Sequence, residues 1–142
     1  MEFKLIDGGV CAAKGFKASG LYCGIKNNPT KKNDIALLVS DVVCNTAGVY
    51  TQNKVKGAPV IVTKKNLEKS GGKAIAVIVN SKNANTCNAD GEEKAEKMCS
   101  MTADALGIKP CEVVVASTGV IGQILPIEPI EKAIPLLKEK LS

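Results

Sequence analysis

The chain contains no histidine and no tryptophan, and aromatic residues make up 3% of its 142 positions. Without histidine, neither a Ser-His nor a Cys-His nucleophilic pair can be assembled from this sequence alone. Any base or nucleophile must be of another kind or come from elsewhere. No Cys-x-x-Cys pair occurs, so a zinc site has no ligand framework and no metal site is expected. No apolar run approaches the length of a membrane span, and no signal-peptide pattern follows Met1. The expected location is therefore cytoplasmic, without a membrane partner. The lysines lie in short pairs such as Lys31-Lys32 and Lys64-Lys65, with no arginine-rich tract or interleaved aromatics, which argues against a nucleic-acid partner.

What remains is an aliphatic, mildly basic chain, with nineteen basic residues against fourteen acidic for a net charge of +5. Its length suits a single domain over residues 1–142. The six cysteines, Cys11, Cys23, Cys44, Cys87, Cys99 and Cys111, read as reduced thiols, most of them small core residues. Strands are expected at Ile35–Val39, Pro59–Thr63, Ala74–Val79 and Glu112–Ala116, with a shorter one at Val49–Thr51. Between the last two long strands, Ala95, Met98, Cys99, Thr102, Ala105 and Leu106 recur at helical spacing. Asp90 is placed to cap that helix, and Gly107 to end it. Strand, helix, strand makes a parallel crossover the default. The final stretch, LPIEPIEKAIPLLKEKLS, reads as a helix interrupted at Pro135, with Leu136, Leu137 and Leu141 on a second segment.

Two loops carry the chemical interest. VVVASTGVIG starts as a β-branched run of the kind buried on both faces of a parallel sheet, then breaks at Ser117, Thr118, Gly119 and Gly122. A glycine there allows positive φ or a close approach to its N–H, and Thr118 adds a hydroxyl. A tight turn needs no more than this, yet ligands of open α/β sheets also bind beyond the carboxyl ends of strands. AIAVIV ends in NSKNANTCN, where four asparagines in nine residues exceed what one turn requires. Both loops are expected on the same edge of a parallel pair, lining one pocket. A small-anion or nucleotide binder lacks support, because no Gly-x-Gly-x-x-Gly or phosphate-loop lysine pattern is present.

From about Gly15 onward, the ordered motifs GFKASGLYCGIK, DIALLVSDVVCNTAGVYTQNKVKGAPV, NSKNANTCN and STGVIGQILP resemble the amino-terminal part of the ornithine acetyltransferases, the glutamate N-acetyltransferase family of arginine biosynthesis. Lys82 departs from the family pattern, where glycine is common, which bears on the path of the asparagine loop. The resemblance implies a mixed-sheet, layered α/β domain of the DmpA/ArgJ-like type, in its amino-terminal portion only. It also implies an alpha chain cut from a precursor, working with a downstream beta chain in a heterotetramer of two alpha and two beta chains. The beta chain's leading threonine would take acetyl from N2-acetylornithine and pass it to glutamate through an acyl-enzyme. No cofactor is implied, although acetyl-CoA serves as an acetyl donor in some members. Thr118 and Gly119 match the family's oxyanion-hole pair. The family's self-cleavage run is not reached by Ser142, so the nucleophile and substrate-binding residues are expected outside residues 1–142. An alternative is a non-catalytic interaction module derived from the same enzyme.

Overall fold

The computed structural model describes residues 3–27 and 29–142. Four strands form one mixed sheet in the order β1 (Phe16–Leu21), β2 (Ile35–Asn45), β3 (Lys73–Asn80) and β4 (Val113–Ser117). β1, β2 and β3 are successively antiparallel, whereas β4 joins β3 in parallel. Helix α1 (Ala58–Lys69) lies between β2 and β3 in sequence, α2 (Gly91–Leu106) makes the crossover from β3 to β4, and α3 (Ile127–Glu139) follows β4. The mixed sheet and the parallel crossover agree with expectation. β1 was not anticipated from the strand pattern, and no strand forms at Val49–Thr51.

The largest departure is Pro59–Thr63, which is the first part of α1 and not a strand. Its β-branched residues suggest a strand only while the window stops at Thr63. Beyond it, buried Ala58, Pro59, Val62, Thr63 and Asn66 recur at helical spacing, and Lys64, Lys65, Glu68 and Lys69 point outward. Pro59 stands in the first turn, where its missing N–H costs nothing. This helix covers the free edge of β4. The Thr63 hydroxyl donates to the Val115 carbonyl at 2.8 Å and accepts from the Val115 N–H at 3.1 Å, and Asn66 Nδ2 donates to the Val113 carbonyl at 3.0 Å.

β3 and β4 alternate in burial, so β4 is buried on one face and not on both. Leu37, Ile78, Val113 and Val115 meet Met98, Leu125, Ile130, Ile134 and Leu137 in the core. Ala36, Leu38, Ile75, Val77, Val79, Val114 and Ala116 line the opposite face, are only half-buried, and do not join that core. α3 passes through Pro135 unbroken. An interior proline costs about 3 kcal/mol. Burying Ile130, Ile134 and Leu137 returns about 1.5–3 kcal/mol each, so the helix continues, and Leu136 faces solvent instead of packing. Asp90 stands at the start of α2 but its side chain makes no capping bond, and one carboxylate oxygen pairs with Lys94 one turn on at 2.8 Å. Gly107 ends the helix in a left-handed conformation, as expected. No helix among the described residues is long and apolar enough to cross a membrane.

All six thiols are free, but only Cys99 is a core residue; Cys23, Cys44 and Cys111 are half-buried, and Cys11 and Cys87 are exposed. Cys99 is pushed up to about 12 by burial. Burial, then a hydrogen bond and the negative charge of Asp34, raise Cys23 to about 12 as well. Near pH 8, a thiol reagent added to native protein should modify Cys11 and Cys87 first and Cys99 last, with all six accessible after denaturation. Because the folded state disfavours both thiolates, their contribution to stability is intact below pH 9.0 and is lost as the pH rises through about 12. Rapid native labelling of Cys99 would contradict this arrangement.

Candidate functional site

The two polar loops emerge side by side from the carboxyl ends of β3 and β4. The Val120 N–H donates to the Lys82 carbonyl at 3.2 Å, and the Ala84 N–H donates to the Val120 carbonyl at 2.9 Å, so the loops continue the parallel pairing beyond the strands. Further along, the Gly122 N–H reaches the Thr86 carbonyl at 3.0 Å, and the side chains of Asn83 and Asn88 both donate to the Gln123 carbonyl. The expected adjacency is therefore present.

The contact is tightest at Gly119. A Cβ there would sit 2.2 Å from the Lys82 carbonyl carbon and 2.4 Å from the Asn83 nitrogen, and φ is +139°. No side chain fits between these backbones. Opposite it, Lys82 takes φ +78°, a left-handed conformation that glycine adopts freely and lysine at a penalty. Asn85 and Cys87 are also left-handed, at φ +48° and +61°, which gives the segment its tight coiling.

The asparagines mostly build the loop. Asn80, Asn83 and Asn85 are buried. Asn80 Nδ2 donates to the carbonyls of Asn83 and Ser81 at 2.9 and 3.1 Å, Asn83 Oδ1 accepts the Asn85 N–H at 2.8 Å, and Asn85 Nδ2 donates to the Gly91 carbonyl at 2.9 Å. Their amides replace backbone partners that a coiled, buried segment would otherwise lack.

Thr118 and Gly119 are exposed at the end of β4. The Thr118 N–H is engaged by the Asn80 carbonyl at 3.0 Å. The Thr118 hydroxyl and the Gly119 N–H donate to no atom among the described residues, which leaves two adjacent donors on a strand-supported turn. Thr118 borders a cavity of about 150 Å³ with Asn33, Ala36, Val79, Asn80 and Ser81. Ser117 borders a second cavity, of about 300 Å³, with Ala84, Thr86 and Tyr50. The loops therefore border three cavities in place of the single pocket expected, the third, of about 520 Å³, lying between Lys54, Val55, Lys56 and Ala58 on one side and Asn85, Cys87 and Asn88 of the asparagine loop on the other.

One supporting residue gave little sign of itself in the sequence. Asp34 is buried, and its carboxylate accepts three backbone N–H groups, from Cys23 at 2.7 Å, Gly24 at 3.1 Å and Ile25 at 3.0 Å. Its own carbonyl takes the Ser81 N–H at 2.8 Å, which fixes the turn over 22–25 beside the start of the asparagine loop. An aspartate directly before a strand was the only signal. Among the described residues, no group of three or more histidine, cysteine or acidic side chains is arranged to hold a metal ion.

The ArgJ family is matched over residues 17–142. The chain is similar to the arginine biosynthesis bifunctional protein ArgJ of Gloeobacter violaceus, 50% identical over 133 residues, which cover 93% of this chain and 32% of that protein. The protein of the same name from Symbiobacterium thermophilum is 46% identical over 138 residues, covering 96% of this chain and 34% of its own length. The chain thus spans about a third of the length of the curated relatives it matches. Among solved structures, the arginine biosynthesis bifunctional protein of Bacillus halodurans superposes with a TM-score of 0.83 at 40% identity, over 90% of this chain and 65% of that one. Ornithine acetyltransferase from Mycobacterium tuberculosis, complexed with ornithine, superposes with a TM-score of 0.86 at 34% identity, over 94% and 71%.

Two substitutions across the tight contact should act in opposite directions. Gly119→Ala forces the loops apart and should destabilise the protein by about 2–4 kcal/mol, from overpacking combined with a positive φ. Lys82→Gly relieves the left-handed strain, offset in part by a freer unfolded chain, for a net gain of about 0.5–1 kcal/mol. Denaturant midpoints measure both, and a stable Gly119→Ala variant would show that the backbones are not in contact.

Proposed function

Because this chain belongs to the ArgJ family, we propose that it is the alpha-chain part of a glutamate N-acetyltransferase that moves acetyl from N2-acetylornithine to glutamate in the cytoplasm. The observation that carries the site assignment is the pair of unengaged donors, Thr118 Oγ–H and Gly119 N–H, on consecutive exposed residues just past the end of β4.

In this reading, the leading threonine of the downstream beta chain attacks the acetyl carbonyl, with its own terminal amine as base. That assignment is consistent with a chain that carries no histidine. As the carbonyl carbon becomes tetrahedral, its oxygen gains negative charge, and Thr118 and Gly119 donate to it. Collapse breaks the carbon–nitrogen bond, releases ornithine with the proton returned to its amine, and leaves acetyl on the threonine. Glutamate's amine then attacks the ester carbonyl, the same two donors serve a second oxyanion, and its collapse breaks the carbon–oxygen bond, releasing N-acetylglutamate as the proton lost by the amine returns to the threonine oxygen. Both donors are useful because they are fixed before the charge appears: β4 is locked between β3 and α1, and Gly119 is pressed against Lys82 and Asn83. The half-buried apolar face of the sheet, including Leu38, Val77 and Val114, is the seat for the rest of the enzyme, assembled as two alpha and two beta chains. Where acetyl-CoA is also a donor, its thioester carbonyl would use the same pair.

Residues 1–142 alone should show no transfer, and activity should return when the downstream chain is supplied. In the completed, fully processed enzyme, Thr118→Val keeps the β-branched shape and removes one donor. It should lower kcat by about a hundred- to a thousandfold, roughly 3–4 kcal/mol, with little change in KM. Processed Thr118→Val enzyme that turns over within a few-fold of the parent would remove Thr118 from the mechanism.

A further inference from the structure

Asn80 and Ser117 are register partners at the last rung of the β3–β4 pair, immediately before the two loops diverge. Asn80 is fully buried, and its polar groups are in use. Its Oδ1 accepts the Ser117 hydroxyl at 2.6 Å, its Nδ2 donates to the Asn83 and Ser81 carbonyls, and its own carbonyl takes the Thr118 N–H at 3.0 Å. The peptide joining Ser117 to Thr118 is thus held on both sides by one asparagine. The same side chain holds the Ser81–Asn83 backbone against which Gly119 is pressed.

We propose that the Ser117–Asn80 hydrogen bond is a positioning device that sets the direction of the Thr118 hydroxyl and the Gly119 N–H by referring both to one buried amide. The proposal rests on the reading of those two groups as oxyanion donors. Neither Ser117 nor Asn80 is a catalytic residue here. Ser117 acts through the residue that follows it, and Asn80 through the loop on which Gly119 rests. A cut hydroxyl at Ser117 leaves the ladder bond from Thr118 to Asn80 in place, so the strand persists while the turn gains freedom. Misplacement of a donor by a fraction of an ångström weakens its interaction with a developing charge much more than it weakens ground-state binding.

The test uses the completed, processed two-chain enzyme and five variants. Ser117→Ala should lower kcat by about ten- to a hundredfold while KM stays within about threefold. Ser117→Thr, which restores a hydroxyl, should return kcat to within about threefold of the parent, and Ser117→Cys, a weaker donor of similar shape, should fall between them. In a Thr118→Val background, Ser117→Ala should cost clearly less than it does in the parent, because of the two groups the bond directs only the Gly119 N–H remains, whereas a general structural role would make the two losses multiply. Parental turnover by Thr118→Val would defeat the reading of the donors themselves. An impaired Thr118→Val enzyme with an unimpaired Ser117→Ala, or with multiplying losses, would overturn the positioning role and leave that reading intact.

Discussion

The site depends on one steric constraint: the backbones of two loops touch where Gly119 meets Lys82 and Asn83, with no space for even a methyl group between them. Several features follow from it. Chains this close must satisfy their polar groups mutually, which they do through Val120, Ala84 and Gly122. The asparagine loop has to coil tightly to stay in place, which brings left-handed residues at Lys82, Asn85 and Cys87 and turns the amides inward to meet backbone. With the interior of the contact closed, Thr118 and Gly119 stay exposed, and the hydroxyl of one and the N–H of the other donate to no atom among the described residues. The rigidity of this turn arises from the closeness of two backbones, with no charged side chain supplying it.

Much of the frame was legible in the residues because it is local. α2 announced itself through its buried stripe and its terminal glycine, and the crossover from β3 to β4 followed from the order of elements. Pro59–Thr63 was misread because β-branched residues fit a short strand equally well. The decisive information lay further on, at Asn66, and in a partner more than forty positions away, since Thr63 and Asn66 bond to β4. Pro135 misled for a related reason: the rule that proline breaks a helix is an energetic one, and packing on both sides of it reversed the outcome.

The site shows the same division. Residue types at the end of β4 disclosed that an unobstructed donor and a hydroxyl stand together, and the ordered motifs disclosed the family. What the asparagines do was not readable, because an amide that lines a cavity and an amide that bonds backbone look identical in a string of letters. Asn80 and Ser117 lie 37 positions apart, and Asp34 meets its three N–H partners inside the connection between β1 and β2, where the path of an irregular loop leaves no periodic pattern. Their roles exist only in three dimensions.

The covering of β4 by α1 has a consequence for how the sheet can associate. An exposed edge strand offers a row of unpaired peptide groups, and a foreign strand can add there as readily as a native one. Thr63 and Asn66 already occupy the outward groups of Val113 and Val115, so that side is closed to strand addition. On the other side, Ala18 exchanges both of its backbone hydrogen bonds with Ser142, which interrupts β1 near its middle. Neither border of the sheet therefore presents a long, continuous template. A domain with one apolar sheet face left half-open is thus steered toward face-to-face contact and away from edge-to-edge polymerisation.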